Sequence, residues 1–279
     1  MADKKSGGAG LRGQVAGKTK ICTVAMGHSG LTYYGYEVDD LATHCEFEEV
    51  AYLLFNGELP TSAQLAAYKD KLSSLRELPD ALREVLERIP ASAHPMDVMR
   101  TGVSFLGNLE TESDFSMQQE AADRLIATLP GIVCYWYRYS HDDKRVDLDT
   151  GADSIGGHFL SLLHDGSPDE LHEQVMNVSL ILYAEHEFNA STFTARVCAS
   201  TLSDYHSCIT GAIGSLRGPL HGGANEAAME MIEQWSSADE AEREIMAMLE
   251  RREKIMGFGH AVYTERDPRN AIIKRWAQK

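Results

Sequence analysis

From residue 47 onward the apolar residues recur at helical spacing, and this period decides what the chain can fold into. Phe47, Val50, Leu53 and Leu54 share one helix face, and Asn56-Gly57 supplies its stop. Thr61 and Gln64 have the spacing of a capping box, ahead of a helix carrying Leu65, Tyr68, Leu72 and Leu75 on one side. Leu82, Val85, Leu86 and Ile89 mark the next helix, halted by Pro90. The same period predicts helices over 97–106, 117–129, 132–140 and 154–163. A long helix is expected over 169–200, with Val175, Val178, Ile181 and Leu182 making it central and mostly buried. The exception lies near the N-terminus, where 20–25 and 31–36, separated by Met26-Gly27-His28-Ser29-Gly30, read as a β-hairpin. The expected fold is all-α with one short hairpin. Residues 1–18 are expected to be a mobile arm, Gly/Lys/Ala-rich and without the apolar stretch of a signal peptide.

A length of 279 residues suits one large or two ordinary domains. The net charge of −16 argues against nucleic acid or a membrane surface as partner. That charge is unevenly spread. Residues 251–279 hold eight Lys/Arg and three Asp/Glu, a net of +5, so residues 1–250 carry −21. A basic end on an acidic body is suited to an anion, or to an interface with another protein surface. Cys22, Cys45, Cys134, Cys198 and Cys208 are odd in number and scattered, with no C-x-x-C pair. They read as reduced thiols of a cytoplasmic protein. The cleanest apolar run, 178–184, is too short to span a bilayer.

Three stretches break the helical pattern with chemistry-bearing residues. The first is Glu185-His186-Glu187-Phe188-Asn189-Ala190-Ser191-Thr192. Inside the expected buried helix, His186 and Asn189 would share a face, and each polar group left unpaired there costs about 1–3 kcal/mol. A satisfied core histidine is the plain alternative. H-E-x-x-H fails at Ala190, so no zinc-protease motif is present. The second is Gly218-Pro219-Leu220-His221-Gly222-Gly223-Ala224-Asn225, a turn delivering an accessible His221 to the start of a helix over 224–235. There the positive end of the helix dipole disfavours the imidazolium, so a neutral ring can donate a hydrogen bond. The third is Gly257-Phe258-Gly259-His260-Ala261-Val262-Tyr263, followed by Asp267-Pro268-Arg269. Asp267 and Pro268 read as N-cap and first position of a helix over 270–278, putting Arg269 where a carboxylate is welcome. Taken alone this is a tight turn and a helix start. It is no dinucleotide fingerprint, because Val262 replaces the third glycine.

Together and in this order, the three motifs resemble the citrate synthase family. The resemblance extends through Tyr34-Gly35-Tyr36, Asp40-Leu41-Ala42 and His94-Pro95-Met96-Asp97-Val98-Met99-Arg100-Thr101. The stretches 45–61 and Ser154-Ile155-Gly156-Gly157-His158-Phe159-Leu160 look most like its 2-methylcitrate branch. It implies a helical homodimer whose large domain (19–222) and small domain (from 223) close over oxaloacetate and an acyl-CoA. By position His186, His260 and Arg269 match oxaloacetate ligands, and His221 matches the histidine that stabilises the enol of the acyl thioester. Ile255, Met256, Gly257, Phe258 and Gly259 match the segment that receives the adenine of coenzyme A. Two residues depart from the common pattern. Tyr34 stands where many members carry Arg, and Thr264 where many citrate synthases have a basic residue, although Thr is familiar in the methylcitrate branch. The family's catalytic Asp and two further substrate Arg lie beyond Lys279. A chain ending there is expected to hold an incomplete small domain, to lack activity, and to leave its last helix with little to pack against.

The resemblance implies a Claisen-type condensation, with propionyl-CoA as the acyl donor and coenzyme A released by thioester hydrolysis. No cofactor and no metal are called for; the thioester is a substrate. The alternatives are a citrate synthase using acetyl-CoA, a non-catalytic oxaloacetate- or CoA-binding dimer and, more distantly, a metal-dependent hydrolase.

Overall fold

The computed structural model describes residues 16–24, 30–259, 263 and 266–279. Among these, three short strands and thirteen α-helices form the fold. Strands β1 (Cys22–Val24), β2 (Leu31–Tyr33) and β3 (Tyr36–Glu37) make an antiparallel sheet in that order. Cys22 pairs with Tyr33 and Val24 with Leu31, which is the hairpin expected from sequence. Its second strand is not continuous over 31–36. Tyr34 and Gly35 both take positive φ, 48° and 89°, and turn the chain within two residues so that Tyr33 pairs with Tyr36. That turn geometry matches the twist of the paired strands.

The helices that follow begin where local chemistry supplies the missing backbone partners. They are α1 (Val38–His44), α2 (Phe47–Asn56), α3 (Ser62–Ser74), α4 (Asp80–Glu87) and α5 (Pro95–Leu109). Gly57 closes α2, and Thr61 and Gln64 form the expected capping box of α3. Helix α5 starts two residues earlier than expected because His94 is its N-cap, with Nδ1 accepting the Met96 N–H at 3.1 Å. The two helices expected over 117–129 and 132–140 are one, α6 (Gln118–Asp142), which runs through Pro130. The proline removes one N–H, but its turn is buried between packed elements that hold the helix together.

Helix α7 (Ile155–His164) is capped by Ser154, whose Oγ accepts the Gly157 N–H at 2.9 Å. The buried carboxylate of Glu48 accepts the Ile155 N–H at 2.6 Å. The long helix expected over 169–200 is two, α8 (Glu170–Tyr183) and α9 (Ala190–Ala199). His186 and Asn189 therefore do not share a helix face. The remaining helices are α10 (Tyr205–Leu216), α11 (Gly223–Ile232), α12 (Ala238–Glu250) and α13 (Pro268–Ala277).

One core gathers α4 to α7 around Trp136, Val103, Leu106, Leu82 and Ile132. A second joins the hairpin to α1, α2, α8 and α13 through Leu31, Tyr33, Leu53, Ile181 and Ile272. Helix α13 is thus not left without a surface. Its Pro268 and Ile272 are buried, it packs on α1 and α8, and Arg275 pairs with Asp39. Helices α9, α11 and α12 contain no buried residue. Residues 1–15 of the expected arm lie outside the described residues; within the rest of it, Gly17 lies against the Phe188 ring. Among the described residues no helix is long and apolar enough to cross a membrane.

Candidate active site

The site is built on the break between α8 and α9, and a residue of the hairpin makes that break. Tyr33, fully buried, donates its hydroxyl to the Ile181 carbonyl at 3.0 Å and accepts the Glu185 N–H at 3.4 Å. It thereby occupies groups that a continuing helix would have used. The Glu185 carboxyl turns back onto the N–H groups of His186 and Glu187, while burial pushes its pKa up. Glu187 takes φ 55°, a conformation that L-residues with long side chains rarely adopt. Asn189 then starts α9 as its N-cap, with Oδ1 accepting the Thr192 N–H at 2.9 Å and the Ser191 hydroxyl at 2.7 Å. The polar run is paired, so the cost of burying it is largely met.

His221 meets this break directly. Its Nε2 lies 3.3 Å from the Ser191 N–H and 2.9 Å from the Ser191 Oγ. The Ser191 N–H can only donate to Nε2, whereas the Ser191 hydroxyl, its proton given to Asn189, can only accept from it, so Ser191 fixes which ring nitrogen faces it and accommodates either neutral tautomer. Burial holds the pKa below the usual imidazole value. His221 sits ahead of α11 as expected, yet it is half-buried and engaged by Ser191, not the open residue that its glycine neighbours suggest.

His186 lies in the break, where its Nε2 is 3.2 Å from the Tyr263 hydroxyl and the two rings meet edge to face. Arg269 lies on the first turn of α13, where Asp267 is the N-cap and accepts the Arg269 N–H at 3.0 Å. The Arg269 side chain is paired with the same Asp267, with Nε at 3.0 and 3.2 Å and Nη2 at 2.7 Å. Burial lowers the pKa of the guanidinium, but the Asp267 pairing outweighs it and leaves the value raised. Arg269 also acts electrostatically on Cys22, Tyr33 and Tyr263, which places it beside the break. The structure thus gathers His186, Tyr263 and Arg269 at one end of the break and His221 at the other.

In the loop between α12 and α13, Gly257 and Gly259 have φ of 85° and 83°, accessible to glycine at little cost. A Cβ on Gly257 would stand 3.4 Å from that of Ala228, so the loop lies against α11. Ile255 and Met256 are half-buried, and Phe258 is exposed. His260 and Thr264 lie outside the described residues. Among the described residues no three His, Cys, Asp or Glu side chains gather as a metal-ligand set. Sequence reasoning assigned no role to Tyr33, Ser191 or Tyr263. A lone Tyr or Ser carries no spacing signal, and each matters only through contacts over 30 or more positions of sequence.

Residues 10–279 match the family described as citrate synthase, C-terminal domain. The chain belongs to the citrate synthase family. A 2-methylcitrate synthase of Shewanella oneidensis is 68% identical over 280 residues, covering 100% of this chain and 75% of that protein. Among solved structures, the citrate synthase of Thermotoga maritima superposes with a TM-score of 0.85 at 37% identity, covering 96% of this chain and 72% of that one. The citrate synthase of Thermoplasma acidophilum, in ternary complex with carboxymethyl coenzyme A and oxaloacetate, gives 0.84 at 30% identity, covering 92% and 68%. The helical architecture and its small hairpin therefore agree with the citrate synthase fold.

Proposed function

We propose that the protein is an acyl-CoA:oxaloacetate condensing enzyme that joins propionyl-CoA to oxaloacetate and releases 2-methylcitrate and coenzyme A. The observation that carries this reading is the Ser191–His221 contact, which holds the imidazole by one ring nitrogen ahead of α11. A neutral donor beside a developing enolate oxygen stabilises the transition state by roughly 3–4 kcal/mol. His186 and Arg269 bind oxaloacetate, with Arg269 turning its planar fork from Asp267 to a substrate carboxylate. His260 polarises the ketone, and the 255–259 loop receives coenzyme A at its backbone. Residues 19–222 form the large domain, and the small domain begins at 223. The two close because an enolate must be kept from water.

The preference for a propionyl over an acetyl group rests on the high identity to the Shewanella oneidensis 2-methylcitrate synthase. A homodimer is the assembly, and the uncovered apolar residues Met229, Ile232, Met246 and Leu249 on α11 and α12 support it. The compartment is the cytoplasm, and no cofactor beyond the thioester substrate is needed.

The test is to incubate the full-length protein with propionyl-CoA and oxaloacetate and follow both free thiol and the mass of the acid product. Stoichiometric coenzyme A and 2-methylcitrate are expected. Binding of both substrates without thiol release would favour the non-catalytic reading.

A further inference from the structure

We propose that Tyr263 is a positioning residue that sets the tautomer and orientation of His186, accepting the imidazole Nε2–H while its own hydroxyl proton goes to Gly30. This deepens the reading above and rests on His186 being an oxaloacetate ligand. The direction of these bonds follows from a count of protons. The Tyr263 hydroxyl lies 3.3 Å from the Gly30 carbonyl and 3.2 Å from His186 Nε2. A carbonyl can only accept, and a phenol has a single proton. With that proton on the Gly30 bond, Tyr263 Oη can only accept from His186, so the hydrogen sits on Nε2.

The surroundings make the arrangement selective. Tyr263 is 9% exposed and packs with the hairpin, α8 and Ile272 of α13, which keeps its hydroxyl largely from water. Burial also pushes its pKa up to about 12, so the phenol keeps its proton at neutral pH. The rings meet at 73° with centroids 5.5 Å apart, fixing the imidazole plane as well as its edge. Tyr263 thus ties three segments distant in sequence: the end of the hairpin loop at Gly30, the α8–α9 break, and the approach to α13. With Nε2–H committed to Tyr263, Nδ1 pairs with an incoming anion once it takes up a second proton, and the ring that takes it is already held in place, so binding need not order it first.

The test uses the full chain labelled with 15N-histidine, with His186 assigned by comparison with His186→Gln. Long-range proton–nitrogen correlation at pH 8 is expected to show His186 protonated on Nε2. In Tyr263→Phe, which keeps the ring and its packing, the two nitrogens should move toward averaged shifts. A His186 protonated only on Nδ1 in the unaltered protein would overturn the proposal, and so would an unchanged pattern in the Phe variant. The first of these needs no variant, so it decides even if Tyr263→Phe fails to fold. Calorimetry gives the functional arm, with oxaloacetate expected to bind Tyr263→Phe about tenfold more weakly, as for one lost hydrogen bond. Equal affinity would overturn the positioning role. If His186→Gln binds oxaloacetate like the unaltered protein while the tautomer result holds, the assignment of His186 to oxaloacetate fails instead.

Discussion

Among the side chains given a role in the proposed chemistry, His221 and Arg269 are each held by a partner that constrains them. His221 is neutral through burial and has one nitrogen committed to Ser191. Replacing it with Ala in the full-length protein should lower kcat by about two to three orders of magnitude, as for loss of an oxyanion-type donor. Oxaloacetate affinity should change little; unaltered turnover would take His221 out of the reaction. Arg269 holds Asp267 in a two-point contact. Arg269→Lys keeps the charge but loses the planar fork, so calorimetric titration should show weaker oxaloacetate binding with the fold intact. His221, His260 and Arg269 stood out in the sequence because glycine-rich turns and a helix start surround them, and His186 because it interrupts an apolar helical run; their roles came from the family resemblance. What holds them was not, since Ser191 and Tyr263 reach His221 and His186 only after the chain has folded.

At the scale of elements, the central error of the helical period lies between α8 and α9. Val175 to Leu182 fix the face of α8 correctly, but nothing in that period records a hydroxyl from Tyr33 arriving at its end. Asn189, expected on a helix face, is instead a cap that also receives the Ser191 hydroxyl. Asn189→Ala should therefore destabilise the fold by about 1 kcal/mol, measured by denaturant unfolding. It should also lower kcat, because Ser191 loses its anchor next to His221. On α7, His158 is fully buried, with Nδ1 2.9 Å from the Thr150 hydroxyl. Burial, with the Arg76 charge adding to it, pushes its pKa down to about 3. The unfolded chain takes up a proton near pH 6.5, whereas the folded chain does not until about pH 3, so this contribution to stability fades as pH falls below 6.5. Between pH 7 and 5 it amounts to about 2 kcal/mol. His158→Gln cannot titrate, and its unfolding free energy should fall by that much less over the same interval.

For the whole molecule, the all-helical class and the β1–β2 hairpin followed from apolar spacing and turn residues, whereas the second turn at Tyr34-Gly35 did not. The lengths of α6 and α8 did not, because Pro130 is tolerated inside a packed helix and the α8 stop comes from another strand. The packing of α13 on α1 and α8 was also out of reach, since it joins the last helix to a core begun more than 200 residues earlier. At this scale the account predicts a dimer mass by light scattering, with Met229→Glu and Ile232→Glu together shifting the protein toward monomer. The central claim is condensation with a preference for the propionyl group. One extra methylene is worth about 1–3 kcal/mol in an apolar pocket, so discrimination of roughly ten- to two-hundredfold is the range to expect. The decisive measurement is kcat/KM of the full-length protein for propionyl-CoA and acetyl-CoA at saturating oxaloacetate. The account predicts turnover of both with the propionyl value higher by at least about tenfold; a higher value for acetyl-CoA, or no turnover of either, would contradict it.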